Sequence, residues 1–274
     1  MTIKWLIQDS QRMYSALEDE FTPLSKLGYD IIPYGLVPMT TIVTGLEELD
    51  LNDTFIIRGG TKIIDILVKG ESETLSPEVL LKMRAGISYD RTNFDQAYYS
   101  TLGLPLLNDK PQILDLRESN DLFASFDVPK FVKPSSDLKA FTAGILEPGK
   151  VLKNFIESNY HRENYAEETV IVHDALKIDA EYRFICIDGK VITGSQYQKN
   201  GRLILSSEIP RIIQVTADVY ANLYKPSEIY TMDLAETPNG IKIVEYNCWN
   251  CSGLYHMDSL KLFSTIKEYY EGKI

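Results

Sequence analysis

The stretch Ile229–Cys248, IYTMDLAETPNGIKIVEYNC, constrains this chain most. Two runs rich in β-branched and aromatic residues flank Pro238-Asn239-Gly240. Asn-Gly between such runs is a strong hairpin signal, and proline is excluded from a central strand. A three-residue turn centred on Asn239 sets Asp233 opposite Glu245. Side chains alternate along a strand, so Asn247 shares a face with Glu245. Two carboxylates and a carboxamide oxygen then converge on one patch between apolar strands. An all-oxygen cluster of this kind suits Mg²⁺, which takes one or two carboxylates and completes its shell with water and phosphate oxygens. The same pattern fits a hairpin face turned to solvent, and this stretch alone does not separate the two.

With 274 residues the chain holds one large domain or two smaller ones, each with a sizeable core. Its net charge of −11 disfavours a nucleic-acid surface, which needs a basic footprint, but leaves room for a local basic pocket. The first residues, MTIKWLIQDS, lack the apolar core of a signal peptide, and no run approaches the roughly 18 apolar residues of a membrane span. A soluble, cytoplasmic protein is expected. Cys248-Trp-Asn-Cys251 has redox or zinc spacing. A structural zinc site needs about four ligands, and only Cys186, His161, His173 and His256 remain to complete it. A thioredoxin-like motif opens a helix early in a βαβ unit rather than following a late hairpin. Reduced, partly buried thiols are the expectation.

Along the first part of the chain, Thr2–Gln8, Tyr29–Tyr34 and Thr54–Arg58 read as strands. Met13, Leu17, Phe21 and Leu24 recur at helical spacing before a break at Pro23, and Asp9-Ser10 offers a helix cap. This alternation predicts a small α/β domain over residues 1–95. Arg58 and Lys62 flank Gly59-Gly60, a turn whose backbone N–H groups can receive an anion. Asn93–Gly103 has the spacing of a short aromatic helix, and loops around Pro105 and Pro111 suggest a boundary, with a second domain over residues 96–274.

From Lys130 the pattern sharpens. Lys130–Pro134 is a strand ending Lys133-Pro134, and a loop of small residues carrying Lys139 follows to Gly144. Small residues let backbone approach phosphates, and lysine supplies a compact mobile charge. Val151–Ser158 reads as a helix and Glu168–His173 as a buried strand. Asp188-Gly189 joins two further strands, on the first of which Glu181, Arg183, Ile185 and Ile187 share a face. That face is half charged and half apolar, fitting a site at one end and a core at the other; a solvated Glu181–Arg183 pair is the plainer alternative. Ile209–Leu223 and His256–Glu271 read as helices, the latter with Leu260, Phe263, Ile266 and Tyr270 on one side.

Lys133, Lys139, the strand at Val170–Val172, Glu181-x-Arg183, Asp233 and Glu245-x-Asn247, in this order, resemble the ATP-grasp superfamily from about Leu104 onward. The nearest resemblance is to a clade of bacteria and their phages marked by one arginine and two lysines. The resemblance implies an ATP-grasp fold of mixed α+β type, two subdomains closing over ATP, preceded by a small α/β domain. It implies Lys133 at the nucleotide's phosphates or base, Lys139 in the loop that covers the phosphates, and Val170, Ile171, Val172, His173 and Asp174 as the strand whose backbone meets the adenine edge. Glu181 would take the ribose, Arg183 a phosphate or acyl-phosphate oxygen, and Asp233, Glu245 and Asn247 the Mg²⁺.

The implied activity is an ATP- and Mg²⁺-dependent carboxylate–amine ligase acting on a small-molecule or peptide substrate through an acyl-phosphate. Phosphoryl transfer needs metal and cationic groups more than covalent help, and such groups are here. Arg58 is a candidate for binding the substrate carboxylate. A non-ligating nucleotide-binding module and a small-molecule kinase are the alternatives. The loop Ser135–Gly144 is poorer in glycine than is usual for the superfamily.

Overall fold

The computed structural model describes residues 2–9, 20–159 and 169–272. Ser10, Met13, Leu17, His161 and Glu168, which carry parts of the sequence expectations, lie outside these.

The chain begins with β1 (Ile3–Gln8), α1 (Phe21–Lys26), β2 (Asp30–Leu36), β3 (Val43–Thr44), β4 (Thr54–Arg58), α2 (Thr61–Lys69) and α3 (Pro77–Arg84). These strands form a sheet in the order β3-β2-β1-β4, with β1 parallel to β2 and to β4. Phe55, Ile56 and Ile57 are buried because α2 and α3 lie on one face and the C-terminal helix on the other, so β4 carries the continuous apolar run of a doubly covered parallel strand. Pro23 does not break α1: it sits in the first turn, where no N–H is needed.

A short helix, α4 (Gln96–Tyr99), runs on as a 3₁₀ turn over Ser100–Leu102, shorter than the aromatic spacing suggests. Next come β5 (Gln112–Asp115), α5 (Ser119–Leu122), β6 (Lys130–Pro134), β7 (Gly144–Leu146), α6 (Leu152–Asn159) and β8 (Thr169–Asp174). They make an antiparallel sheet, β5-β8-β6-β7, over its own small core of Val132, Phe141, Leu152, Ile156, Val170 and Val172.

The last group is β9 (Ala180–Ile187), β10 (Lys190–Lys199), β11 (Arg202–Ser206), α7 (Arg211–Ala221), β12 (Ile229–Thr237), β13 (Gly240–Cys248) and α8 (Ser259–Glu271). Its sheet has the order β11-β10-β9-β12-β13. Asp188 and Gly189 both have positive φ, 48° and 82°, as a two-residue primed hairpin turn requires. The half-charged face of β9 divides as its pattern suggests. Ile185 and Ile187 pack with Leu262, Phe263 and Ile266 of α8, whereas Glu181 and Arg183 face a cleft. On the reverse face, Tyr182, Phe184 and Cys186 share a core with Ile213, Ala217 and Ala221 of α7. Tyrosines fill much of that core: Tyr99, Tyr224 and Tyr230 lie 5.3, 5.3 and 5.9 Å from Tyr246, ring to ring. Along α8 the buried stripe is Leu262, Phe263 and Ile266, while Leu260 is exposed.

The β12–β13 hairpin departs from expectation at its tip. Thr237 pairs with Gly240, which makes a tighter turn than one centred on Asn239 and shifts the pairs as far as Leu234–Ile243 by one residue. A bulge at Val244 then restores the register, so Asp233 does oppose Glu245.

Candidate active site

Three cavities run together between the sheets. An apolar one of about 230 Å³ is lined by Phe131, Ile145, Leu176, Ile178 and Val244. A polar one of about 190 Å³ is lined by Thr61, Lys139, Arg183, Asn247 and Gly253. A wide basin of about 1080 Å³ joins them: Lys133, Ala143 and Glu245 line both it and the apolar pocket, and Thr61, Asp137 and Lys139 both it and the polar one.

Charged groups meet where the pockets meet. Arg183 and Asp233 stand opposite each other on β9 and β12 and form a two-pronged ion pair, Nε–Oδ1 2.8 Å and NH2–Oδ2 2.7 Å. The guanidinium also lies over Tyr255 and Tyr197, whose rings stack on each other. Glu245 accepts from Lys133 and, at 3.0 Å, from the Asn247 amide. Burial works to raise the Glu245 carboxyl, but Lys133 and Lys139 outweigh it and hold the group far below the usual carboxylate range. Glu245 in turn raises the Lys139 ammonium. Lys139 itself adopts φ 54°, a left-handed conformation that a non-glycine residue adopts at some cost.

The oxygens fit a hard cation. Asn247 Oδ1 is buried and has no partner among the described residues, and Glu245 is ionised beside it. No group of three or more His, Cys, Asp or Glu able to hold a metal occurs among the described residues, so a site here would rest on one or two carboxylates with the Asn247 carboxamide beside them. Mg²⁺ tolerates this, since it keeps several waters and needs only one or two carboxylates.

Two sequence expectations need correction. Arg58 does not reach the cleft: it is 2% exposed, paired with Glu20, donates to the carbonyls of Trp249 and Ser252, and lies over the Trp249 ring. It supports the turn after β13 from beneath. Val170, Ile171 and Val172 cannot offer backbone to a ligand edge, because β8 lies between β5 and β6 and is paired on both sides. Asp174 is exposed and paired with Lys130. Of that strand only His173 lines the apolar pocket, joined by the following segment at Ala175, Leu176 and Ile178.

Sequence reasoning also missed residues. Asn108 Oδ1 is a buried acceptor without a partner among the described residues, and Asn108 lines the apolar pocket. His173 was expected at the site through its backbone, but it is a ring atom, Nε2, that is buried without a partner among the described residues; burial lowers the pKa of this imidazole, and its Nδ1 lies 2.7 Å from the Asp174 carbonyl. A neutral ring donating from Nδ1 therefore presents Nε2 as an acceptor. Asp137 accepts from the Cys248 N–H at 2.8 Å, tying the Lys139 loop to the end of β13. The Tyr89 hydroxyl stands beside its other oxygen without closing a hydrogen bond. Only the small-residue loop hinted at Asp137, and nothing local hinted at Asn108.

Burial pushes the Asp137 carboxyl up to about 6. An unfolded aspartate titrates near 4, so between roughly pH 4 and 6 the folded state holds the extra proton and stability falls as pH rises. Asp137→Asn is expected to remove this slope and to melt higher than wild type above pH 6, not below pH 4. Melting curves across that window check it, and parallel curves for the two proteins would refute the shift.

The fold and this cleft define a two-lobed protein of the ATP-grasp type. The profile of the ATP-grasp domain, family 2 of the clade marked by one arginine and two lysines, matches residues 113–264, more than half of the chain, and the chain belongs to that family. Over 97% of its length it superposes on 92% of a D-alanine–D-alanine ligase from Bacillus anthracis, with a TM-score of 0.52 and 15% identity. Over 98% it matches 99% of the ATP-grasp ligase PsnB complexed with minimal precursor, at 0.54 and 14%. The D-cycloserine synthetase DcsG gives 0.52 and 12%, over 97% of this chain and 99% of that one. At these identities the likeness is one of fold. No curated protein matches the chain. No helix among the described residues is long and apolar enough to cross a membrane.

Proposed function

We propose that this protein is an ATP- and Mg²⁺-dependent carboxylate–amine ligase. The observation that carries the reading is the meeting of Lys133, Lys139 and Arg183 with Glu245, Asn247 and Asp233 where an apolar pocket opens into a polar one. The fold likeness to a D-alanine–D-alanine ligase and to PsnB, also solved with Mg and ADP, supports it, as does the small-molecule or peptide character of what those proteins act on or bind.

The adenine would lie in the apolar pocket, its amino group served by Asn108 Oδ1 or His173 Nε2, with the Ala175–Ile178 segment along its edge. Glu181, held by Tyr197 and Gln198, stands at the mouth for the ribose. Phosphates would draw Lys133 and Lys139 away from Glu245, freeing its oxygens. Glu245 and Asn247 would then hold Mg²⁺, with Asp233 contributing when Arg183 yields one of its oxygens. The metal would neutralise and align the phosphate oxygens. The substrate carboxylate would attack the γ-phosphorus as ADP leaves; the amine would then attack the acyl carbon, and phosphate would depart as hydrogen phosphate, carrying the amine's proton, to give the amide. Arg183 would stabilise charge on the acyl-phosphate oxygens.

The acceptor belongs in the polar pocket at the start of α2. This helix has no side-chain cap and no acidic residue in its first turn, so its N–H groups suit a carboxylate. Thr61→Pro tests this. Gly60 is extended, at φ −77° and ψ 174°, so proline fits at the first helical position and removes one N–H while keeping the helix. The expected outcome is a KM for the carboxylate substrate raised about ten- to a hundredfold, with Mg-ATP binding unchanged and Thr61→Ala milder. An unchanged KM would move the acceptor elsewhere.

Calorimetric titration of Mg-ATP, followed by ADP release with panels of amino acids and short peptides, tests the whole reading. Binding with acceptor-dependent ADP release and an amide product is expected. Binding without release would favour a non-ligating module, a reading that draws on the ion pairs already satisfying Asp233 and Glu245. A stable phosphorylated product would mark a kinase. No binding would overturn the proposal.

A further inference from the structure

The helix α7 is apolar on two sides. Ile213, Ala217 and Ala221 face inward and are fully buried against the central sheet. Ile212, Val215 and Val219 point the other way and are 64%, 41% and 55% exposed, and Leu223, in the turn that follows, continues their stripe at 51%. A surface helix ordinarily turns a polar face to water, and one that is apolar all round is covered on both sides. The inner contacts of α7 explain only half of its sequence.

The charges beside the stripe indicate what covers the rest. Arg211 and Asp218 are both exposed, and neither makes an ion pair among the described residues. They lie two helical turns apart and border the same edge of the stripe. When two identical helices pack antiparallel about a two-fold axis, each flank meets its own copy. An axis over Val215 sets that residue against itself and Ile212 against Val219 of the other chain. Arg211 then comes beside Asp218 of the other chain, and the reverse pair forms by symmetry. The face is complementary to itself in both shape and charge, which is what an isologous dimer interface requires.

We propose that two copies of this chain associate through α7. The helix packs on the sheet face opposite Glu181 and Arg183, so the dimer leaves both clefts open. At 11 residues it is about 16 Å long. A single helix pair falls at the low end of interface sizes, so the dimer is reversible and depends on concentration.

Sedimentation velocity over a concentration series of the full chain tests this. The wild-type mass should rise from 31.2 kDa towards twice that value. Val219→Glu should stay at the monomer mass with an unchanged melting temperature, since the position is exposed. Arg211→Glu and Asp218→Arg should each weaken self-association by about tenfold, because each turns two attractions into two repulsions. Mixing these two variants should restore the dimer, since each then offers the charge the other lacks. A wild type that is monomeric throughout, a Val219→Glu protein that dimerises normally, or a mixture that stays monomeric would each overturn the proposal.

Discussion

Glu245→Gln is expected to lower ATP-dependent turnover about a hundredfold or more and to weaken Mg-ATP binding. The reasons lie on both sides of the carboxylate. It is the ion-pair partner of Lys133 and the charge that most raises the Lys139 ammonium, and it lies beside the unpartnered Asn247 Oδ1. Glutamine keeps the shape but loses the charge. It leaves the buried Lys133 ammonium without its ion-pair partner, so some loss of stability should accompany the loss of turnover. Mg²⁺ should stabilise the wild type in the presence of ATP more than it stabilises the variant. Measuring ADP release and melting temperature with and without Mg-ATP separates the two effects. A variant with wild-type turnover would remove Glu245 from the metal site.

Arg58→Met should have the largest effect on stability. The Arg58–Glu20 pair is almost wholly out of solvent, and two carbonyls of the turn after β13 accept from the guanidinium. Removing one partner of a buried pair typically costs about 3–5 kcal/mol, because the other is left charged and unpaired. For a chain of this size that corresponds to a fall in Tm on the order of 10 °C. Adding Glu20→Gln should recover part of it. Chemical denaturation of the single and double variants checks the prediction. An unaltered stability together with a raised KM for a carboxylate substrate would instead return Arg58 to the cleft.

Much of this architecture was legible because it depends on local chemistry. The Asp188-Gly189 turn, the division of β9 between Arg183 and Ile187, and the facing of Asp233 and Glu245 all follow from period-two patterning with turn residues between the runs. What escaped the sequence was set at a distance. Arg58 beside two glycines reads like an anion site, yet Glu20 and the Trp249 turn, far away in the chain, claim it. Val170–Val172 looked available because a strand's neighbours cannot be read from its own residues; β5 and β6 close it on both edges. Asn108 is the same case in reverse, a loop amide that becomes an orphaned acceptor only once the two lobes enclose it. The facing of Asp233 and Glu245 was reached through a turn that is not the one present, and the bulge at Val244 made up the difference.

That bulge is where two anchorages of the last hairpin are reconciled. On one side of it Asp233 and Glu245 are pinned by Arg183 and Lys133; on the other, Ile243 exchanges backbone hydrogen bonds with Pro105 and Leu107, while Leu234–Glu236 pair with β9. A one-residue slip of that ladder would turn the buried Ile243 to the opposite face, so an added residue has to loop out at the exposed Pro238-Asn239 rather than pass down the strands. The tip can therefore lengthen, or accept an inserted tag, only outward of Thr237–Gly240, while the chemistry a few residues away stays in register.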